Sequence, residues 1–512
     1  MKSFFEALEH YGNNGTYPYH MPGHKRRLKG FLPETLVKVD ITEIEGFDNL
    51  HHARGILREL QKQASDLYGS DESFYLVGGS TCGILAAISA CVPKGGHILM
   101  ARNCHKSAYH AAYLRELQVH YLEPDIIEGF GIPDGIRVNQ VREALDRYPD
   151  VTAVLLVSPT YEGRISEISE IAELVHERGK LLVVDEAHGA HLGFAKGFSD
   201  NSVRKGADVV IHSVHKTLPA MTQTALLHVK GDRVDLATLR RFLQIYQSSS
   251  PSYVLMASID NALRVVREQG QVLFADLQTR YEKMIGELQA CKQLRFLSPE
   301  KNIQDIGKLV ISTARAGITG KELYELLLER YKLQLEMACG NYALAMFTIG
   351  DSEEGYERLT KALLELDKEL DETAKGSKKV RGHEDARDNE KAWSEKDWEN
   401  EDAGNTMEVG DEYEIRDIEG ASDGYNPGTQ KVVYPLSKAW DMEKNWVQLD
   451  YAEGRVAGEF VTLYPPGIPM FAPGEEITKE HVNLIRNYMK KNFELEGIQF
   501  LNDRPCVCCV TE

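Results

Sequence analysis

Leu181-Leu182-Val183-Val184-Asp185-Glu186-Ala187-His188-Gly189-Ala190-His191 is an apolar run that stops abruptly at an acid. A second run, Val209-Val210-Ile211-His212, leads into Ser213-Val214-His215-Lys216-Thr217 and so to a lysine. Apolar runs without polar alternation suit strands buried on both faces. Working outward, Ala153-Val154-Leu155-Leu156-Val157 leads to Ser158-Pro159-Thr160. His97-Ile98-Leu99-Met100 leads to Asn103-Cys104-His105-Lys106-Ser107, and Phe74-Tyr75-Leu76-Val77 to Gly78-Gly79-Ser80-Thr81. Helical stretches are expected between them, over 55–68, from Gly83 onward and near 166–178. Strands alternating with helices predict an α/β fold whose mostly parallel sheet carries helices on both faces. Each polar cluster follows a strand, at the edge where open sheets of this kind bind ligands.

A chain of 512 residues is too long for one core. The expected division is an N-terminal arm (1–50), a large domain (51–255), a linking helix near 254–291 with a small α/β domain (256–371), a charged segment (372–428) and a C-terminal α+β domain (429–512). Leu309-Val310-Ile311-Ser312 and Ala343-Leu344-Ala345-Met346-Phe347 are the clearest strands after the linking helix. The charged segment is acidic and poor in aliphatics, which suits a passive solvated tether or a partner-binding insertion.

The apolar and charged fractions, 42% and 27%, are those of a soluble globular protein. No run of about 18 apolar residues predicts a membrane span. Met1-Lys2-Ser3-Phe4-Phe5 opens no signal peptide, and the scattered cysteines suit a reducing cytoplasm. Cys506, Cys508 and Cys509 are expected as small hydrophobes of a final strand rather than as metal or redox thiols. The net charge of -19 argues against nucleic acid as a partner and would draw in cationic small molecules.

Asp185 and Lys216 carry the strongest chemical suggestion. A carboxylate and a lysine delivered from the ends of two strands of one sheet are what pyridoxal phosphate (PLP) requires. The lysine forms a Schiff base with the cofactor aldehyde, and the acid pairs with its protonated pyridine nitrogen. Taken singly, Lys216 also suits a surface position and Asp185 a helix cap. Gly78-Gly79-Ser80-Thr81-Cys82-Gly83 fits a phosphate cup, because small residues let the backbone approach and a helix N-terminus offers amides. His105 suits a ring stacked on a cofactor or an ordinary polar histidine. His188 and His191 are also spaced for a metal, but no thiolate or second carboxylate cluster accompanies them, so none is expected.

Together these segments resemble the Orn/Lys/Arg decarboxylases, the bacterial basic amino-acid decarboxylases of PLP fold type I (aspartate-aminotransferase-like). The resemblance rests on Met21-Pro22-Gly23-His24-Lys25, Gly79-Ser80-Thr81, Asn103-Cys104-His105-Lys106-Ser107 and Ser158-Pro159-Thr160-Tyr161-Glu162-Gly163. It continues through Asp185-Glu186-Ala187-His188-Gly189, Ser213-Val214-His215-Lys216, Ser248-Ser249-Ser250-Pro251-Ser252-Tyr253, Tyr464-Pro465-Pro466-Gly467-Ile468-Pro469 and Pro473-Gly474-Glu475. It implies that Lys216 carries the cofactor, Asp185 pairs with its pyridine nitrogen, Ala187 packs under the ring and His105 stacks over it. It places Ser80, Thr81, Ser213 and His215 around the phosphate, Thr160 near the phenolic oxygen and His188 near the reacting carboxylate. It further implies a homodimer or dimer of dimers with shared sites, in which Ser248–Ser250, Ser249 included, reaches the neighbour's phosphate. Glu336 and Glu475 become candidates for the distal cation of arginine, lysine or ornithine. The early Met21–Lys25 element resembles the short form without an N-terminal wing, and a ring of dimers is not expected. An aminotransferase, a carbon–sulfur lyase and a non-catalytic protein of the same fold stay open; Arg164 and later arginines leave room for the carboxylate clamp of a transferase.

Overall fold

The computed structural model describes residues 3–15, 21–22, 24–25, 34–300, 302–376, 431–463, 467–491 and 493–511. Most of the acidic segment, Gly23, and Tyr464, Pro465 and Pro466 lie outside them. Seven strands build the main sheet: β1 (Glu72–Leu76), β2 (His97–Ala101) and β3 (Gln118–Leu122), then, after a small ribbon of β4 (Ile126–Ile127) and β5 (Ile132–Pro133), β6 (Val151–Val157), β7 (Leu181–Asp185), β8 (Val209–Ser213) and β9 (Ala225–Val229). Their order is β1-β9-β8-β7-β6-β2-β3. All neighbours are parallel except where β9 lies antiparallel between β1 and β8.

The unalternating apolar runs have the expected cause. β7 and β8 are buried along almost their whole length because helices cover both faces. One face packs the helices Gly79–Cys91, Lys106–Leu114, Val138–Arg147 and Ile168–Glu177 into a core with Leu99, Leu155, Val183 and Ile211. The other face meets the helix Tyr253–Leu288 through residues such as Leu226 and Met256. Each fully buried Val, Leu or Ile contributes roughly 1.5–3 kcal/mol, so this two-sided burial is the main source of the fold's stability. The helix after β1 starts at Gly79, earlier than Gly83, so Ser80 and Thr81 belong to its first turn. Gly83 is needed for packing: a Cβ there would come within 2.6 Å of Leu76 and 3.1 Å of Ile211.

The 36-residue helix Tyr253–Leu288 is about 54 Å long and reaches the second layer. That layer is an antiparallel sheet, β10 (Arg295–Phe296), β11 (Lys308–Ser312), β12 (Met337–Cys339) and β13 (Tyr342–Met346), in the order β10-β11-β13-β12. The helices Gly320–Tyr331 and Glu353–Ala374 pack on it. The second of these runs past residue 372, so the charged segment begins inside a helix.

The C-terminal part has two three-stranded sheets. One joins β14 (Lys444–Gln448), β19 (Arg504–Val510) and β18 (Ile498–Leu501); the other joins β16 (Ile468–Phe471), β15 (Val461–Leu463) and β17 (Leu495–Glu496). Cys506, Cys508 and Cys509 are buried in β19 as hydrophobes. Val310, Met337 and Leu344 share a core with Leu449, Met470 and Tyr488, so this part sits on the second layer. Among the described residues no helix is long and apolar enough to cross a membrane.

Candidate active site

The polar clusters converge because β2, β6, β7 and β8 are parallel neighbours and release their residues at one edge. Asp185 is the last residue of β7 and is only 5% exposed. Its carboxylate accepts the Ala187 amide at 3.1 Å. Burial pushes it up to about 6, against the pull of the Lys216 charge. Lys216 follows β8 in the short helix Val214–Thr217. Burial lowers its ammonium below the ordinary lysine value, while Asp185 and Glu336 oppose that shift.

Lys216 Nζ lies 2.9 Å from His188 Nε2. The other ring nitrogen, Nδ1, is 3.0 Å from the Nζ of Lys308. Burial first, and then the two lysine charges, hold His188 well below the usual imidazole range. The Tyr161 ring lies 4.5 Å from the His188 ring, and its hydroxyl donates to Glu336.

His105 caps the helix Lys106–Leu114. Its Nδ1 accepts from the Ser107 amide at 3.2 Å and faces the Ser107 hydroxyl at 2.9 Å, and burial pushes the ring down to about 4. Nδ1 is therefore the acceptor and Nε2 carries the proton of this neutral ring. Thr160, after β6, donates to Glu162 at 3.1 Å and accepts the Arg164 amide at 3.1 Å. His215 Nδ1 donates to the Thr224 carbonyl at 2.9 Å. Ser213 Oγ is buried without a hydrogen-bond partner among the described residues. Ser80 is half-buried and Thr81 exposed at a helix start whose Gly78 cap supplies no side-chain bond. Gly79 there has φ +71°, and an added Cβ would meet nothing within 4 Å, so space stands open over the turn.

The sequence of this site can be placed among known proteins. The family described as "Orn/Lys/Arg decarboxylase, major domain" matches residues 2–305, and its C-terminal domain matches 434–497. The chain belongs to the Orn/Lys/Arg decarboxylase family. It is 31% identical to the protein of Bacillus subtilis called "Uncharacterized protein YaaO", over 99% of this chain and 98% of that one. It is 27% identical to an arginine decarboxylase of Bacillus anthracis, over 96% of this chain and 94% of that one. The lysine decarboxylase A structure from Pseudomonas aeruginosa superposes with a TM-score of 0.80 at 21% identity, covering 100% of this chain and 80% of that one. The fold is therefore PLP fold type I, with a large domain, a smaller α/β domain and a C-terminal domain.

Within that family fold, the surroundings of several further residues can be described. Glu475, a candidate for the distal cation of the substrate, is occupied by a cation of the chain itself. Its carboxylate takes the buried Arg102 guanidinium at 3.0 Å and the Ala472 amide at 2.9 Å, tying the C-terminal domain to the end of β2. Arg164 is held by Asp134 at 2.7 Å, which removes it as an obvious carboxylate clamp. His188 and His191 face different partners, the two lysines and Asp305, so they do not form a common ligand pair. Ser249 is exposed near the end of the segment that precedes the helix Tyr253–Leu288, where it was expected to reach a neighbouring subunit. Lys308 was not singled out by sequence reasoning. It is the first residue of an apolar strand and looks like an ordinary strand-edge lysine; the nearby Asp305 is its one visible companion.

Proposed function

We propose that the chain is a PLP-dependent α-decarboxylase of a basic amino acid, releasing CO2 and the corresponding amine from arginine, lysine or ornithine. The observation that carries this reading is the joint placement of Asp185 at the end of β7 and Lys216 just past the end of the adjacent parallel β8, both charged groups desolvated. The residues present fit the cofactor. Ser213 offers a buried hydroxyl without a partner among the described residues, and the turn at Gly79 opens onto unfilled space before a helix N-terminus, as a phosphate requires.

When bound, PLP would supply the electron sink for the pair released at the substrate's α-carbon. Lys216 would carry the cofactor through Nζ and yield its place to the substrate's amine. A buried lysine with a lowered ammonium is suited to this because the amine, not the ammonium, is nucleophilic. Asp185 would hold a proton on the pyridine nitrogen. His105, a neutral ring, would cover the cofactor face and Ala187 would pack beneath it. Ser80, Thr81, Ser213 and His215 would bind phosphate, and Thr160 would lie by the phenolic oxygen. His188 would face the leaving carboxylate. Glu336 would take the distal cation, since it is exposed and its carboxylate lies by Tyr161.

The same reading includes a cytoplasmic homodimer or dimer of dimers, with Ser249 reaching the neighbouring site. Eight free cysteines support the reducing compartment. The test is CO2 release and product identification with arginine, lysine and ornithine side by side. Pyridoxamine phosphate appearing without CO2 would replace the reading with a transferase.

A further inference from the structure

His188 is the middle of a three-residue line. Lys216 Nζ is 2.9 Å from Nε2 and Lys308 Nζ is 3.0 Å from Nδ1. An ammonium only donates hydrogen bonds, whereas a neutral imidazole has one N–H and one lone pair. The ring, lowered first by burial and flanked by two lysines, is neutral. It can accept from one ammonium but not from two. Its other nitrogen bears a hydrogen, and the lysine there satisfies that hydrogen only as an amine. Both contacts are therefore good only when the trio holds one ammonium, one neutral ring and one amine.

Two different parts of the fold supply the lysines. Lys216 follows β8 in the large domain, and Lys308 opens β11 in the second layer. Asp185 and Glu336 face Lys216; Asp305, Glu336 and Glu162 face Lys308; His105 and His191 face the ring. The Tyr161 ring covers both amines, at 5.8 Å from Lys216 and 5.9 Å from Lys308. Lys308 is 1% exposed, so burial draws it down to about 8 even with Asp305 beside it. Neither lysine is strongly committed to its proton.

We propose that Lys216 and Lys308 share one proton across His188, and that Lys308 is the positioning residue that sets whether Lys216 is an amine or an ammonium. The transfer balances. Lys308 ammonium gives a proton to Nδ1 while Nε2 gives its own to the Lys216 amine. The products are Lys308 amine, the Nδ1–H ring and Lys216 ammonium, and the trio keeps a single positive charge throughout. This rests on the decarboxylase reading, and it explains a need of that reaction: CO2 departs without a proton, and the α-carbon must gain one. A proton stored on Lys308 and delivered to Lys216 meets that need inside a water-poor site.

The test uses the full-length chain freed of cofactor. Trace acetic anhydride is applied from pH 6 to 10, and acetylation of Lys216 is read by mass spectrometry. In Lys308→Met the ring accepts from Lys216 instead, so Lys216 stays an ammonium and its reactivity at pH 8 falls about tenfold, one unit of midpoint. In an H188F background the same Lys308→Met change lowers reactivity by about threefold or less, the through-space charge alone. Equal falls in both backgrounds would overturn the relay. Lys308→Arg keeps a donor that does not give up its proton, so Lys216 is at least as reactive as in the parent chain while CO2 release drops. Arginine behaving like methionine would also overturn it. If the variants do not fold, the unaltered chain decides: a relay gives Lys216 a two-step reactivity curve, and a single ordinary titration refutes it. Labelling needs no turnover, whereas CO2 release by the unaltered chain tests the decarboxylase reading, so either can fail alone.

Discussion

Replacing Arg102 by Met should loosen the C-terminal domain from the main sheet. Arg102 follows β2 and is fully buried. Its guanidinium donates to Glu475 at 3.0 Å, to the Met470 carbonyl at 3.1 Å and to the Tyr109 hydroxyl, and lies 4.9 Å from the centre of the Tyr121 ring. Methionine fills much of the same volume but leaves the Glu475 carboxylate buried without its cation. Breaking one side of a buried pair costs roughly 3–5 kcal/mol. At about 1.4 kcal/mol per factor of ten, local opening should become roughly 10²- to 4 × 10³-fold more frequent. Hydrogen exchange is the suitable assay, because a chain of several domains does not unfold in one step. Amides of β2 and of Met470–Glu475 should lose protection, while β7 and β8 keep theirs. Adding Glu475→Gln removes the stranded charge and keeps an oxygen for the Ala472 amide, so the double variant should regain part of the loss. Two results would refute this account. One is strict additivity of the two changes. The other is an Arg102→Met chain with unchanged protection alongside a Glu475→Gln enzyme whose KM for cationic substrate rises, which would return Glu475 to the substrate pocket.

Three further outcomes follow from the same geometry. Lys216→Ala should abolish both the visible absorbance of bound cofactor and CO2 release, and an unchanged spectrum would sink its assignment. Asp185→Asn should keep cofactor bound, by absorbance, but slow turnover on the order of 10²-fold or more, since a buried electrostatic partner is removed. Glu123 is pushed up to about 7 by burial, against the pull of Arg102, from its ordinary 4.5. Its folded carboxyl thus keeps a proton that the unfolded chain has already released. Stability should fall as pH rises from about 4.5 to about 7 and be level above that. Glu123→Gln should flatten this dependence in thermal melts at stepped pH; an identical slope would assign the effect to other groups.

What could be read from the sequence was what the backbone period and strand ends encode. β7 and β8 were legible because a strand buried on both faces has no polar residue until it leaves the sheet, and Asp185 and Lys216 stand near those exits. His105 and Thr160 were singled out for the same reason, each a few residues beyond a strand end. The exact start of the helix at Gly79 was not legible, because small residues fit both a loop and a first helical turn. Glu475 was misplaced because its partner, Arg102, lies 373 residues away and only folding brings them together.

Lys308 shows the limit most clearly. A lysine at the start of an apolar strand is usually solvated, and nothing local distinguishes it. Its environment comes from Asp305 in its own turn and from two distant segments, Glu162 after β6 and His188 after β7. Those segments meet because the smaller layer is laid against the edge where the parallel strands end. The same juxtaposition gives His188 a lysine on each side, and it is the ring's capacity for only one donated proton, not the number of nearby charges, that links the two amines. A residue with no local signal thereby acquires control over the residue with the strongest one.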